Sequence, residues 1–321
     1  MNYSTFGCRT GKTSIRLNSK SAAEGTKALP DVVVTQLLGG LGNQLFQYSL
    51  GRCLAQKNRT SLKLDTSAFV DYPSRAYALE HFAVQADVLT NEQLREMGIV
   101  GPGKNRFDRV FTRIFGKPRI PVVKERAFEF DPEVLTTRAP CYLKGYWQSQ
   151  KYFQPIEELI RSELRVKDPL SGENQKMAGQ IASSVAVSLH VRRGDYVTDA
   201  VTSRYHGTCS PQYYRAAEEL MRDRLGPLTL YVFSDDPAWA EDNLRFPSQA
   251  VFAKHNGMAR DYEDFRLLTM CQHHIIANSS FSWWGAWLSQ NPSKLVIAPK
   301  NWFRDARHRT DDLIPPEWIR I

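Results

Sequence analysis

The second half of the chain repeats one pattern: a short apolar run rich in β-branched residues, a polar turn, then a stretch with helical spacing. The apolar runs are Val185-Ala186-Val187-Ser188-Leu189, Leu228 to Phe233, Ala250-Val251-Phe252, Ile275-Ile276-Ala277 and Leu295-Val296-Ile297. Helices are expected near 173–182, from Pro211 to about Arg224, from Pro237 to Leu244, from Ala259 to Cys271 and from Phe281 to Leu288. Runs this short and this continuously apolar suit strands buried on both faces. Pro211 and Pro237 stand where proline is favoured, at a first helical position. Strand and helix in alternation imply a parallel sheet covered on both sides. The first half opens the same way. Val32-Val33-Val34 and Leu37-Leu38 precede Gly39-Gly40-Leu41-Gly42, a helix from about Asn43 to Asn58 follows, and Leu62 to Asp65 is the next strand. Its middle is less regular, with a basic, apolar-striped helix at Arg106 to Phe115 and a strand at Cys141-Tyr142-Leu143 leading into Gly145-Tyr146-Trp147-Gln148. Lys167-Asp168-Pro169-Leu170-Ser171-Gly172 interrupts the pattern. The expected organisation is an arm at 1–29, an α/β domain at 30–166 and a second at 167–321, two Rossmann-like, doubly wound domains facing a cleft.

Charge narrows the partners only partly. The 321 residues carry 42 basic and 34 acidic side chains, a formal balance of +8. That suits an anionic ligand, nucleic acid or a membrane surface alike. The arm 1–29 is basic, with Glu24 its one acidic residue, and reads as disordered. Within it, Gly7 to Thr13 resembles a phosphate loop, but three residues separate the glycines where four are needed, and no strand precedes it. The five cysteines are widely spaced and include no Cys-x-x-Cys pair, which favours reduced thiols in a cytoplasmic protein. No apolar run approaches the roughly 18 residues a bilayer span requires, and the N-terminus lacks a secretory core. The arm and the helix 106–115 offer a peripheral contact to the inner membrane face; a solvated charged surface is the alternative.

Four polar clusters fall at strand ends, where ligands bind in open α/β sheets. His190-Val191-Arg192-Arg193-Gly194-Asp195 follows the strand 185–191, and its guanidiniums match phosphate oxygens. Adjacent arginines cannot both point the same way, so one is free for a ligand while the other pairs with Asp195 or backbone carbonyls. Ser234-Asp235-Asp236-Pro237 follows the next strand; an aspartate there either caps the helix that Pro237 opens or accepts two donors from a guanine edge. Asn278-Ser279-Ser280-Phe281-Ser282 opens a helix whose N-terminus favours anions, or simply caps it, and Trp283, Trp284 and Trp287 behind it read as packing. Gly39 to Gln44 is either a phosphate-approaching turn or a tight turn needing positive φ; Leu45 at the third glycine position weakens a dinucleotide site. His273 and His274, being adjacent, are poor metal partners. No Asp-x-Asp and no His-Glu-x-x-His occurs. A departing diphosphate is therefore expected to be neutralised by arginine and helix dipoles, with no metal.

In this order, Gly39 to Tyr48, Gly145 to Ser149, His190 to Tyr196, Ser234 to Asp236, Asn278 to Trp287 and the closing Trp318 to Ile321 resemble the bacterial α-1,2-fucosyltransferases of glycosyltransferase family 11. The resemblance covers about 31–321. It implies a GT-B architecture, an acceptor-side N-terminal domain and a donor-side C-terminal one. It implies inverting, metal-independent transfer of L-fucose from GDP-fucose, a substrate with no further cofactor, to the 2-hydroxyl of a galactose-terminated oligosaccharide or lipid-linked glycan. By the same resemblance Arg192 meets the β-phosphate, and His190, with Asp235, meets guanine. Arg193, Ser234, Asn278, Ser279, Ser280, Phe281 and Ser282 complete the donor site, and Gly40, Gly42, Asn43 and Gln44 close over the sugar. Asp195 either takes the acceptor proton or orients an arginine, and Asp65 is a second candidate base. A protein of this fold that binds a nucleotide sugar or glycan without turnover has the same motifs. No nucleic-acid motif is present.

Overall fold

The computed structural model describes residues 31–71, 75–99, 120–305 and 309–321. The arm 1–29, its phosphate-loop look-alike and the helix expected at 106–115 lie outside the described residues. Strand β1 (Val32–Gln36) is buried along its whole length, as a doubly covered strand must be. Helix α1 (Leu41–Asn58), β2 (Ser61–Asp65), β3 (Asp87–Val88), α2 (Asn91–Glu96), β4 (Val122–Lys124), β5 (Cys141–Lys144) and α3 (Glu157–Glu163) follow. The five strands form one parallel sheet in the order β3-β2-β1-β5-β4. Short elements such as β3 and β4 escape periodicity, which needs longer windows to register.

The second sheet follows its predicted alternation. Its elements are α4 (Gly172–Ala182), β6 (Ala186–Val191), α5 (Gly194–Thr198), α6 (Ala200–Tyr205), α7 (Pro211–Leu225), β7 (Thr229–Ser234), α8 (Pro237–Asn243), β8 (Gln249–Phe252), α9 (Asp261–Met270), β9 (His273–Ile275), α10 (Ser280–Leu288), β10 (Val296–Ala298) and β11 (Ile319–Arg320). The strand order is β11-β10-β9-β6-β7-β8, again with every pairing parallel. Strand β9 begins two residues earlier than the apolar run suggested. His273 and His274 are strand residues, and Ser188 bonds the His274 ring at 2.8 Å between neighbouring strands.

One hydrophobic core crosses from the first sheet to the second. Phe46 on α1 lies 4.6 Å from the Trp283 ring and 4.9 Å from Trp284, both on α10. Phe153 stacks on Trp284 at 5.0 Å, and the Trp283 indole donates to the Leu313 carbonyl at 2.8 Å. The tryptophans of the 278–287 run are therefore packing residues, buried between two layers. Among the described residues, Cys53, Cys141, Cys209 and Cys271 are unpaired thiols, and no helix is long and apolar enough to cross a membrane. Because Phe46 anchors both halves, Phe46→Ala is expected to lower unfolding free energy by about 3–5 kcal/mol, read by guanidinium titration with tryptophan fluorescence. A loss below about 1 kcal/mol would show that the shared core contributes little.

Candidate functional site

Each sheet has one point where the chain order reverses. In the second sheet β6 lies between β7 and β9, so the loops after β6 and β9 diverge and leave a crevice at their carboxyl ends. Those loops are His190 to Asp195 and Ile276 to Ser282. In the first sheet β1 lies between β2 and β5, and the loops after β1 and β5 carry Gly39 to Gly42 and Gly145 to Gln148. The two crevices meet. Gln148 donates to the Asn43 side-chain oxygen at 2.7 Å, and the Ser280 hydroxyl donates to the same oxygen at 2.9 Å.

Register explains the charged cluster. Val191 on β6 pairs with Ser234 on β7, so the residues that follow, Arg192 and Asp235, leave the sheet side by side. Arg192 is 2.9 Å from Asp235, each side chain 18% exposed. The other Asp235 oxygen accepts the Arg193 backbone N–H at 2.8 Å. Arg193 reaches Asp236 at 3.3 Å and lies over the Trp239 ring at 3.7 Å. Asp236 also caps α8 by accepting the Trp239 N–H at 3.2 Å, and the Ser234 hydroxyl accepts the Asp236 N–H at 3.0 Å. Arg192 thus pairs with Asp235 and Arg193 with Asp236, both from the neighbouring strand's end. Asp195 lies in α5, with its side chain outside the described residues. Arg192 lies 5.4 Å from the Tyr196 ring centroid.

His190 is 4% exposed and stacks on Phe281 at 5.2 Å. Burial, with Arg192 adding repulsion, pushes its pKa down to about 3. Its imidazole is therefore neutral, and its Nδ1 has no hydrogen-bond partner among the described residues.

Several expected ligand residues instead hold the loops. The Gln44 amide donates to the Gly39 and Ala76 carbonyls and accepts the Ala78 N–H, at 3.1, 2.8 and 2.9 Å, in a fully buried position. Asn278, 2% exposed, donates to the His206, Gly207 and Trp302 carbonyls, each at 3.1 Å. The Ser282 hydroxyl is buried against the Ser279 and Ala277 carbonyls. Gly42 approaches α10 and not open space: a Cβ there would lie 2.5 Å from the Phe281 nitrogen. Ser279 is the residue before α10, and its side chain makes no capping bond. Gly40 faces Arg75, whose guanidinium would stand 3.6 Å from a Cβ at that position. Asp65 is 1% exposed, bonded to the Ser67 N–H at 2.9 Å and the Tyr142 hydroxyl at 2.8 Å. That leaves it sequestered from an attacking hydroxyl, contrary to the base role considered for it. His273 and His274, as successive strand residues, direct their rings to opposite faces. Among the described residues no group of three or more His, Cys, Asp or Glu is placed to share a metal ion.

Two groups had no signal in the sequence. Asp261 opens α9 near Arg75, Arg192 and His81; burial raises its pKa against the pull of the Tyr262 N–H and those cations. Glu125, just after β4, accepts the Tyr146 and Trp147 N–H groups at 2.7 and 2.8 Å. It lines a cavity of about 380 Å³ between the two halves. Glu125 comes from an irregular stretch and Asp261 from the first turn of a predicted helix, and both are brought in by tertiary packing.

Two doubly wound sheets whose carboxyl-end crevices meet at a cationic cluster define a glycosyltransferase of GT-B fold. Residues 126–321 match Glycosyl transferase family 11. The chain is 31% identical over 300 residues to an Escherichia coli α-1,2-colitosyltransferase, covering 90% of this chain and 99% of that protein. It is also 31% identical to the O-antigen biosynthesis glycosyltransferase WbnK of E. coli, over 89% of this chain and 99% of the relative. A 191-residue stretch, 56% of this chain, is 31% identical to 52% of human galactoside α-(1,2)-fucosyltransferase 1. Among solved structures, a GDP complex of an Arabidopsis thaliana FUT1 mutant superposes with TM-score 0.50 at 10% identity, covering 90% of this chain and 75% of that one. The chain belongs to glycosyltransferase family 11.

The state of His190 has a measurable consequence. Its folded pKa lies below the ordinary value of 6.5, so the stability of its neutral form is complete above about pH 6.5 and is lost as pH falls toward 3. His190→Phe keeps the ring on Phe281 and removes the titration. The drop in urea midpoint between pH 7 and pH 5 should be smaller in His190→Phe than in the parent; an equal or larger drop would show that His190 is not held neutral.

Proposed function

We propose that the chain transfers L-fucose from GDP-fucose to the 2-hydroxyl of a galactose-terminated acceptor, forming an α-1,2 linkage with inversion and without a divalent ion. The observation that carries this is the clamp at the ends of β6 and β7, where Asp235 holds Arg192 at 2.9 Å beside the crevice. As the C1–O bond loosens, negative charge grows on the β-phosphate. Donors fixed beforehand stabilise that charge most, because nothing has to reorganise during the reaction. Arg192 is such a donor, and the N-terminus of α10, with Ser279 and Ser280, adds its partial positive charge on the same side. Asp235 then serves the clamp, Arg193 and Ser234 brace it through Asp236, and guanine recognition falls to His190, backed by Phe281. Residues 30–166 form the acceptor side and 167–321 the donor side, with Gly40 and Asn43 at the seam between them.

The names of the relatives support an α-1,2 linkage, and the human protein's name supports a galactoside acceptor. The E. coli colitosyltransferase favours a second donor. Colitose is fucose without its 3-hydroxyl, so the two donors differ by one hydrogen-bonding group. Equal concentrations of GDP-fucose and GDP-colitose, offered together, decide between them by product mass. The donor is taken from the cytoplasm, and the acceptor is a free or lipid-linked glycan, met at the inner membrane face in the second case.

Arg192→Ala should lower kcat/KM by on the order of a hundredfold or more with the fold retained by circular dichroism. Arg192→Lys should recover only part of this, since an ammonium lacks the planar fork. Turnover by Arg192→Ala near that of the parent would sink the assignment.

A further inference from the structure

The turn after β5 is built at a conformational cost that donor binding does not explain. Trp147 is a non-glycine residue with φ of 59°. It is 1% exposed, and its indole N–H has no hydrogen-bond partner among the described residues. Strain of this kind persists only where the surroundings enforce it, and it gathers at functional sites. Here the left-handed turn aims two successive backbone N–H groups, those of Tyr146 and Trp147, at the Glu125 carboxylate. Gly145 must be a glycine, because a Cβ would stand 2.9 Å from Glu125 Oε2. The Glu125 N–H is itself tied to the Lys144 carbonyl at 3.0 Å. The carboxylate is thus fixed by two backbone N–H groups on a backbone that is itself tied down, yet it still lines an open cavity.

That cavity lies between the two halves. Glu125, Phe128 and Tyr146 line it from the first, Tyr205 and Arg309 from the second. A chain of ring contacts leads from it to the cationic cluster: Tyr205 meets His206 at 4.9 Å, His206 stacks on Tyr196 at 4.7 Å, and Arg192 lies over Tyr196. Tyrosine faces beside a fixed carboxylate suit a pyranoside, which offers apolar C–H faces and hydroxyl donors. The cavity's two carboxylates, Glu125 and Glu129, are matched by Arg126 and Arg309, so it lacks the net positive charge that a diphosphate favours.

We propose that this cavity is the acceptor-sugar subsite and that Glu125 is the catalytic base of the transfer. The assignment rests on the fucosyl-transfer reading above. The acceptor hydroxyl oxygen forms a bond to the sugar C1 while the C1–O bond to the β-phosphate breaks. The bonding pair leaves with GDP toward Arg192, and the hydroxyl proton passes to a Glu125 carboxylate oxygen. Burial raises the Glu125 pKa even against its two amide donors, which strengthens it as a base.

Three proteins test this: the parent, Glu125→Gln and Glu125→Asp, each assayed with GDP-fucose and a β-galactoside that the parent turns over. GDP affinity is measured by calorimetry on each. Glu125→Gln should hold GDP within about twofold of the parent and lose at least about a hundredfold in kcat, the scale of a missing general base. Glu125→Asp, which keeps a carboxylate but shortens it, should exceed Glu125→Gln by tenfold or more. Gln offers one acceptor to the two N–H groups of the cradle, so a purely structural role predicts that Glu125→Gln loses thermal stability and GDP affinity together with kcat, whereas a base predicts a loss in kcat alone. The assignment is overturned if Glu125→Gln retains a tenth of parental kcat, if Asp does no better than Gln, or if both variants lose GDP binding. A parent that binds GDP but transfers to no β-galactoside sinks the function reading itself, an outcome distinct from active Glu125→Gln.

Discussion

The first turn of α1 lies against the first turn of α10 so closely that position 42 has no room for a methyl group. Most of the site depends on this contact. It brings two helix N-termini together, both deficient in hydrogen-bond acceptors and both carrying partial positive charge. Asn43 bridges the contact by accepting from the Ser280 and Gln148 side chains at once. Behind it, Phe46 and the α10 tryptophans form an apolar wedge that locks the angle between the halves. The sheets then cannot drift apart without exposing that wedge, so the crevices at their two switch points are held facing each other.

Within this frame electrostatics is settled by register. The ends of β6 and β7 are in step, so arginines after one strand meet aspartates after the other. Salt bridges on an open surface contribute little, but Arg192 and Asp235 are mostly shielded from water, and Asp235 is further fixed by a backbone N–H. The pairing orients the Arg192 guanidinium at the crevice. Neutral His190 and aromatic Phe281 add a flat, uncharged wall beside it. The arginine cluster and the carboxylate-bearing wall on Glu125 thus lie at different parts of the space between the two sheets.

Much of this arrangement was legible in the residues. Buried strands declare themselves by continuous apolar runs, and the second sheet's alternation read correctly, with β9 displaced by two residues because His273 and His274 do not look like core. The strand-end motifs fall on loops that the fold brings to the two switch points. What they could not convey was the division of labour inside those loops. Asn278, Gln44 and Ser282 resemble ligand residues by type, but their polar groups satisfy buried carbonyls, a need that exists only once the loops are packed. The pairing of Arg192 with Asp235 had a signal that went unused: both follow consecutive strands at matched distance from the strand end, and consecutive strands tend to be neighbours. Glu125 and Asp261 had none. Their environments are assembled from segments far apart in the chain: Glu125 stands in an irregular stretch, and Asp261 is one of three acidic residues in a helix's first turn, where carboxylates are ordinarily solvated.

The central claim is that an aspartate-held guanidinium at the end of β6 receives the charge of a leaving nucleoside diphosphate. A crystal structure of the protein with GDP tests it directly. The account predicts a β-phosphate oxygen within hydrogen-bond distance of Arg192, with the bridge to Asp235 intact and the first turn of α10 against the same phosphate. GDP bound elsewhere in the cleft, with Arg192 making no phosphate contact, would contradict it.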